Sequence, residues 1–446
     1  MVAKAWPWLA VGGGAAGLAA AVLAVSGVLG TGSGTSQPVD TSAAPGVSSP
    51  VGTSSDPLAQ DIVRQQDKAR ATPGDYVAWA TLGLDYVQQA KITVNPAYYP
   101  KASGALARSL ALNSTVNYQA MAGMATLKAA EHNFTAARSW AQRGLAIDNY
   151  NPALYGALDD ADTQLGLYDQ AFAATQRMND LHPGVPAFTR AEYVFELRGD
   201  ISNAQAAMRR ALDEATTPAD RAFTNYYLGE LAFNSGNPKA ALSYAAAGLA
   251  ADPSYSALLE GRAKAEAALG QNDAAVRDYL KVISEVPQPT YLIEAGELLQ
   301  SLGRTKQAEQ QYRLFNTENQ LFVANGVTLD TDPTLFYADH GDPQRALKYG
   351  QVGIRIRPFV EMDDAYAWAL HVNHRDLEAL AYEKKAMQLG TRNALFYFHA
   401  GMIDKSLGRS GEAAADLRKA LAINPYFNPY QLPVLNKALA ELGGGR

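Results

Sequence analysis

YFHAGMIDKSLGRSGEAAADLRKALAINP, which spans residues 397–425, has the pattern of two amphipathic helices joined at a glycine. The second helix opens near Ala413, and an alanine recurs at nearly the same interval along most of the chain. Successive alanines lie 33 to 38 residues apart at ten positions: Ala102, Ala137, Ala171, Ala204, Ala241, Ala275, Ala308, Ala346, Ala379 and Ala413. A period of about 34 residues is typical of a solenoid built from helix-turn-helix units. The sequence therefore predicts a repeat array that functions through an extended surface.

The composition narrows the functional classes. The chain has 446 residues, 48% of them hydrophobic, and a net charge of -6. The hydrophobic content excludes a disordered chain, and the negative charge provides no electrostatic footprint for nucleic acid, so we expect no nucleic-acid partner. Because the chain has no cysteine, disulfides, thiolate metal sites and cysteine nucleophiles are excluded.

The N-terminal segment differs from the rest of the chain. Residues 5–30 contain no charged residue, and this run is long enough to cross a bilayer as a helix. Lys4 precedes the run and Asp40 is the first charge after it, so the positive-inside rule places the N-terminus in the cytoplasm and the array outside it. We therefore predict a single-pass transmembrane anchor within residues 1–30. The alternative is a cleaved signal, which would leave a secreted soluble adaptor.

Three glycines of the same segment allow a second alternative. Gly12, Gly14 and Gly17 form a GxGxxG motif, which suggests an enzyme that binds flavin or NAD. Such a site needs a strand-helix-strand unit and a suitably placed acidic residue, and the following residues supply no second strand. We disfavour this alternative and predict no cofactor. In a membrane helix, Gly13 and Gly17 instead offer a small-residue face for self-association.

The remaining domain boundaries follow from composition and pattern. Residues 31–55 are dominated by Gly, Ser, Thr and Pro, which predicts a flexible linker. The sequence pattern predicts a lead-in helix over residues 56–73 and about ten repeat units over residues 74–427. Residues 428–446 predict a capping helix and tail, because solenoids require a capped end. The apolar stripe of this helix consists of Leu432, Leu435, Leu439 and Leu442.

At this point the pattern resembles the tetratricopeptide repeat (TPR) family. The first unit carries Trp79, Leu82, Gly83 and Tyr86, and the last carries Tyr397, Ala400, Gly401, Gly408, Ala413, Ala420 and Pro425. The intervening units start near Tyr118, Pro152, Val185, Ala222, Ser256, Pro289, Val327 and Val360. The resemblance implies an all-α, right-handed solenoid of helix-turn-helix repeats. It also implies a non-catalytic scaffold that binds a protein or peptide in a concave groove.

The eighth unit departs from the pattern. Asp332 and Pro333 fall where its first helix should be continuous, and proline interrupts a helix interior. We interpret this as a kink or hinge in the superhelix. The alternative is a short first helix.

The position of each residue within its repeat unit identifies candidate groove residues, because the resemblance to the TPR family implies which positions face the groove. First helices line the groove of this family at about the second, fifth, ninth and twelfth residues of each unit. Those positions hold mainly carboxylates and aromatics: Asp160, Tyr193, Glu196, Phe223, Tyr226, Glu230, Phe233, Glu260, Lys264, Glu297, Glu361, Asp364, Trp368, His371 and Phe398. This character suits a partner with basic and apolar side chains. The alternative is that the aromatics at this helical spacing are core residues.

One histidine-containing segment invites a metal-site interpretation. His371 and His374 have a spacing that could place two ligands on one helix end, with Asp376 nearby and His399 in the following unit. Because His374 falls at a turn position, we interpret these residues as surface histidines. The array also lacks a nucleophile elbow or phosphate loop, so we predict neither a metal site nor enzymatic activity.

Overall fold

The computed structural model describes residues 57–443, in which all regular structure is helical. Helix α1 (Pro57–Ala71) leads into ten helix pairs, and α22 (Leu432–Gly443) follows the last pair. The predicted anchor and linker lie outside the described residues. Within residues 57–443, no helix combines the length and the apolar character that a membrane span requires.

We number the helix pairs as units one to ten. Their first helices are α2 (Tyr76–Thr93), α4 (Tyr118–Ala130), α6 (Pro152–Gln164), α8 (Val185–Leu197), α10 (Pro218–Asn234), α12 (Ala257–Ala268), α14 (Pro289–Ser301), α16 (Thr331–Asp339), α18 (Val360–His371) and α20 (Ala394–Ser406). Their second helices are α3 (Tyr98–Leu112), α5 (Phe134–Leu145), α7 (Tyr168–Leu181), α9 (Ile201–Glu214), α11 (Pro238–Ala251), α13 (Asn272–Glu285), α15 (Thr305–Ala324), α17 (Pro343–Ile356), α19 (Asp376–Ala386) and α21 (Ser410–Ile423).

Short polar side chains and left-handed residues set the helix boundaries. Asn133, for example, caps α5 by accepting a hydrogen bond from the backbone N–H of Ala136. The turn inside most units contains a glycine with positive φ, such as Gly199 at 68°. In units two and nine, His132 and His374 adopt this left-handed conformation instead, with φ of 59° and 60°.

The periodic alanines lie where helices meet, as the sequence predicts. None of the ten is more than 2% exposed. Small residues on the first helices have the same role, because a Cβ added to Gly83 would lie 2.5 Å from the Leu106 side chain. A Cβ on Gly296 would lie 2.2 Å from the Tyr312 ring. Close helix packing therefore explains the repeat of small residues.

Two details of the predicted register are wrong. The first helix of unit five begins at Pro218, four residues before Ala222, because proline suits the first turn of a helix. In unit eight, α16 is only nine residues long and begins at Thr331, so Pro333 also lies in a first turn. A proline there removes no helical hydrogen bond. The kink interpretation is therefore incorrect, and the short-helix alternative is right.

The array returns on itself along a contact zone that we call the seam. In units two to four, the turn between the two helices contacts the segment that precedes the first helix six units later. The turn of unit five contacts the segment that precedes α22. Thr391 Oγ1 donates to the Leu197 carbonyl at 2.6 Å, across 194 residues of sequence. The Val360 N–H donates to the Tyr168 hydroxyl at 2.8 Å, across 192 residues. One superhelical turn therefore takes about six units, and the second turn rests on the first.

Glycines allow the backbone to approach closely in the seam. A Cβ on Gly166 would lie 2.5 Å from the Pro358 carbonyl oxygen, and one on Gly199 would lie 2.3 Å from the Gly390 carbonyl oxygen. Both glycines have positive φ. The seam thus holds the second turn of the superhelix against the first, so residues from both turns border the expected groove.

Candidate binding cavity

A cavity of about 350 Å³ lies inside the superhelix. Its wall combines the first helices of units four to nine with residues 391–395 and the segment between α21 and α22. This volume falls in the range of small-molecule and side-chain binding pockets. The superhelical return is what brings the two sets of wall residues together.

The cavity wall is rich in carboxylates, which we call the acidic band. Its members are Glu196, Glu230, Glu294, Glu297, Asp332, Asp339 and Glu361. Apolar and aromatic side chains, including Phe233, Phe336 and Phe427, lie between them. Lys264 and Arg392 are the lysine and arginine residues that line the same wall. The wall therefore carries an excess of acidic groups in a partly apolar setting.

Lys264 offsets part of this negative charge. Its ammonium lies 2.6 Å from Glu230 Oε2 and 2.6 Å from Glu260 Oε1. It also lies 5.5 Å from the centre of the Phe233 ring. Although burial lowers the pKa of Lys264, the neighbouring glutamates raise it well above its ordinary value. One ammonium is thus held between two carboxylates beside an aromatic ring.

Other members of the acidic band accept hydrogen bonds from neutral groups. The Tyr193 hydroxyl donates to Glu361 Oε1 at 3.0 Å. Asn428 Nδ2 donates to Glu297 Oε2 at 2.8 Å, and the Trp368 indole N–H donates to Asp339 Oδ1 at 2.8 Å. Neutral donors stabilise an ionised carboxylate less than an ammonium or guanidinium does.

Burial raises the pKa of several carboxyls in the band. The pKa of Glu196 and Glu230 rises to about 7, and that of Glu361 to about 8, because burial removes water from the ionised form. The same cause raises the pKa of Glu294 and Asp339 to about 6. Neighbouring carboxylates add repulsion, as Glu230 does at Glu196. These groups therefore change protonation state near neutral pH.

Two wall oxygens have no hydrogen-bond partner within the described structure. They are Glu361 Oε2 and Gln431 Oε1. Glu361 is 7% exposed and Gln431 is 4% exposed, so both side chains are largely removed from water. Because buried polar atoms are normally satisfied, these two acceptors require a donor from outside the chain, which a ligand or an ordered water would bring.

The structure brings some of the predicted groove residues to this cavity. Those on its wall are Tyr193, Glu196, Glu230, Phe233, Lys264, Glu297 and Glu361. Asp364 lies instead on the wall of a smaller cavity of about 170 Å³. The remaining candidates, which line neither cavity, are Asp160, Phe223, Tyr226, Glu260, Trp368, His371 and Phe398.

Several of these remaining candidates pack within the array. Asp160 accepts two hydrogen bonds from the Arg190 guanidinium, at 2.7 and 3.0 Å. The Phe223 and Phe398 side chains are each 1% exposed. The alternative interpretation of aromatics at helical spacing as core residues therefore describes both phenylalanines.

The smaller cavity lies beside the seam and has a different electrostatic character. Asp330 Oδ1 accepts a hydrogen bond from Arg357 Nη1 at 2.9 Å, and Asp330 Oδ2 lies 3.0 Å from His132 Nδ1. Arg357 Nε also donates to Gln164 Oε1. Burial alone would raise the pKa of Asp330, but Arg357 and His132 hold it well below its ordinary value. This carboxylate therefore already has a guanidinium partner within the chain.

Sequence reasoning missed part of the acidic band and its donors. Glu294, Asp332 and Asp339 lie on first helices, but outside the register positions that were counted. Asn428 and Gln431 belong to the segment before α22, which reaches the interior only because the array returns on itself. A wider helical window would have found Glu294, whereas no local signal identifies Asn428 as a wall residue.

The histidines considered as metal ligands have structural partners instead. His399 is fully buried, and its Nδ1 lies 2.8 Å from Asp364 Oδ1, so its interpretation as a surface residue is wrong. His371 Nδ1 lies 2.5 Å from Asp376 Oδ1. Within residues 57–443, no group of three or more His, Asp or Glu side chains is arranged to hold a metal ion.

Comparison with known proteins supports the repeat assignment. A family model described as tetratricopeptide repeat matches residues 394–427, which comprise unit ten and the residues that follow it. No curated protein matches the chain.

Several solved structures are similar at low identity. A tetratricopeptide repeat protein from Parabacteroides merdae is 20% identical, with 58% of this chain and 99% of that chain covered and a TM-score of 0.34. A thermophilic TPR protein from Thermus thermophilus is 21% identical, with 44% and 98% covered and a TM-score of 0.38. PilF from Pseudomonas aeruginosa is 19% identical, with 48% and 96% covered and a TM-score of 0.33. Superpositions of this quality assign no function. The chain thus carries a tetratricopeptide repeat at residues 394–427, within an all-α solenoid of similar helix pairs.

Proposed function

We propose that this chain is a non-catalytic interaction scaffold that binds a segment of a protein or peptide inside its superhelix. The single observation that carries the proposal is the interior cavity of about 350 Å³. It is bounded by carboxylates and aromatic rings from several units, and such surfaces suit basic and apolar side chains. Because the cavity measures only about 350 Å³, the bound segment would be an extended chain or a side chain rather than a packed helix.

We also propose that residues 1–30 anchor the scaffold in a membrane, with residues 31–55 as a linker. The uncharged run of residues 5–30 supports this proposal, and the flanking charges favour an extracytoplasmic array. Gly13 and Gly17 would allow two anchors to associate. A secreted adaptor, released after signal cleavage, is the alternative.

Selection of peptides on the purified full chain would test the interior site. We expect peptides from a random library to bind the unmodified chain and to lose binding in Ala268→Trp, since Ala268 lies on the cavity wall and an indole would fill the space. Ala247→Trp is the matched control, because Ala247 is exposed on the outer helix α11. If both variants bind the selected peptides equally well, the site is not the cavity.

Membrane tethering needs a separate test. We expect the full chain to stay in the membrane fraction after alkaline carbonate extraction, and a variant lacking residues 1–30 to be soluble. Added protease should degrade the array in intact cells from which any outer wall or membrane has been removed. A full chain that is extracted by carbonate would contradict the anchor, and an array protected until the membrane is opened would contradict the orientation.

A further inference from the structure

The cavity that carries the proposed function also constrains the chemistry of its ligand. Among the buried side-chain atoms of the described wall residues, the two without a hydrogen-bond partner are both acceptors, Glu361 Oε2 and Gln431 Oε1. A ligand that satisfies them must therefore bring N–H or O–H donors. Since most of the wall's ionisable groups are carboxyls, the donor should also be positively charged.

The chain itself shows how its wall holds such a group. The Lys264 ammonium occupies a position between two carboxylates, at 2.6 Å from each, with the Phe233 ring nearby. An ammonium suits this arrangement because it is a compact charge with three donors that can point to separate side chains. Glu361 and Gln431 belong to different elements of the wall, and each has one acceptor without a partner.

The acidic band extends beyond the reach of one ammonium. Glu361 interacts electrostatically with Glu196, and Glu196 with Glu230. The series continues from Glu230 to Glu294 and from Glu294 to Glu297. A ligand with a single charge would leave much of this repulsion in place. A ligand with two charges, joined by a chain that packs on Phe233 and other apolar wall groups, would relieve more of it.

We propose that the cavity binds a flexible dication consisting of two primary ammonium groups joined by an alkyl-rich chain. Two lysine side chains of an extended peptide would supply this chemistry, and so would a free linear diamine. The inference rests on the proposed function in its peptide form, but the chemistry recognised is the same from either source.

Calorimetric titration of the full chain at pH 8 would test the inference. The probes are 1,5-diaminopentane and the peptide acetyl-Lys-Ala-Lys-amide. The neutral controls are 1,5-pentanediol and the same peptide with norleucine in place of lysine. We expect at least one ammonium probe to bind and its neutral control not to bind. Stronger binding of the peptide would identify a lysine-containing segment as the source, and stronger binding of the diamine would identify a free small molecule.

Substitutions on the wall would locate the binding site. Glu294→Gln and Glu361→Gln remove charge with little change in shape, and each should weaken binding by about tenfold or more, as expected for a charge-assisted contact. Glu309→Gln is the matched control, because Glu309 is exposed on α15 of the same unit as Glu294. Its affinity should be unchanged. Circular dichroism would verify that each variant is folded.

Proton linkage gives a readout on the unmodified chain. The ligand's ammonium groups stay charged between pH 6 and 8.5, whereas Glu230 and Glu361 have raised pKa values of about 7 and 8. Binding should therefore release protons. From pH 6 to pH 8.5, affinity should rise by about tenfold if Glu230 must ionise and by nearly a hundredfold if Glu361 must ionise. The charged and titratable groups that interact with these two carboxyls are Lys264, Glu260, Glu294, Glu196, Tyr193, Tyr168, Tyr226 and Arg357.

The outcomes separate this inference from the broader proposal. Binding of the neutral controls as tightly as the ammonium probes would overturn the inference, as would unchanged affinity in both wall variants. Absence of binding by either ammonium probe would overturn it too. If the peptides selected from the library still bind and still lose binding in Ala268→Trp, the proposed function stands without the dication.

Discussion

Asp330 at the seam and Glu361 on the cavity wall are both buried carboxyls on the inner side of the superhelix, yet their protonation differs. Asp330 has Arg357 at 2.9 Å, and its pKa is held well below the ordinary value. Glu361 has the Tyr193 hydroxyl as its hydrogen-bond donor, and its pKa is raised to about 8. The cationic partner, more than burial, decides whether such a group stabilises the fold or remains able to receive an external cation.

The largest effect should follow from removing the seam's cation. Arg357→Met would leave Asp330 buried without its guanidinium, so we expect unfolding in urea to show a loss of about 3–5 kcal/mol. Arg355→Met is the control, since Arg355 is exposed at the end of α17, two residues before Arg357, and it should change stability by less than about 0.5 kcal/mol. Equal stability of the two variants would mean that Asp330 does not depend on Arg357.

A backbone substitution tests the close approach within the seam. Gly199→Ala and Gly303→Ala both place a Cβ at positive φ, but only the first would lie against a backbone, 2.3 Å from the Gly390 carbonyl oxygen. We expect Gly199→Ala to cost about 2 kcal/mol more than Gly303→Ala, because the seam would have to open. Chemical denaturation measures the difference, and similar costs would argue against a tight seam.

The acidic band should make stability depend on pH in a defined direction. A carboxyl whose pKa is raised in the folded state binds protons more tightly there than in the unfolded chain. Stability should therefore be greatest below pH 6 and fall as pH rises from 5.5 to 8, by about 2 kcal/mol for each of Glu196 and Glu230, through their raised pKa values. Thermal unfolding across this range measures it. A melting temperature that rises with pH would contradict the assignment.

The smallest expected effect is a gain in stability. Glu294→Gln removes a carboxyl whose pKa is raised to about 6, so at pH 8 the variant avoids burying a charge. The substitution also alters the hydrogen bond that Glu294 accepts from the Tyr279 hydroxyl, which offsets part of this gain. We therefore expect the free energy of unfolding to rise by about 1 kcal/mol at pH 8 and not to rise at pH 5. Parallel urea titrations at the two pH values test this, and a loss of stability at pH 8 would show that the ionised carboxylate is stabilising.

Much of the fold follows from local sequence signals. Each unit repeats the same packing problem, and a small residue such as Ala204 solves it at the same place, so the period is readable. Pro333 was misread because a nine-residue helix places it in a first turn, and helix length in unit eight is set by the seam residue Asp330 that caps α16. The presence of each helix was therefore easier to predict from the sequence than the residue at which it begins.

The cavity was only partly predictable for a different reason. Register counting found Glu230 and Lys264, because they lie on first helices and point inward. It could not find Asn428 or Gln431, because their position depends on how far each unit is rotated relative to the one before it. Small differences in this rotation add up over six units. Side chains such as Phe398 were counted as groove residues because the same helical period describes core positions.

The seam also determines how many units the array can have. Each turn in units two to four meets a partner six units ahead, with Gly166 against Pro358 and Gly199 against Gly390, and the turn of unit five meets the segment before α22. Removing or adding one unit between these partners would shift every pair by one unit. The paired segments would then no longer lie opposite each other in the superhelix. A repeat protein usually tolerates changes in length because each unit contacts only its neighbours. This chain should tolerate extension beyond its last unit but not a change of number within the first turn.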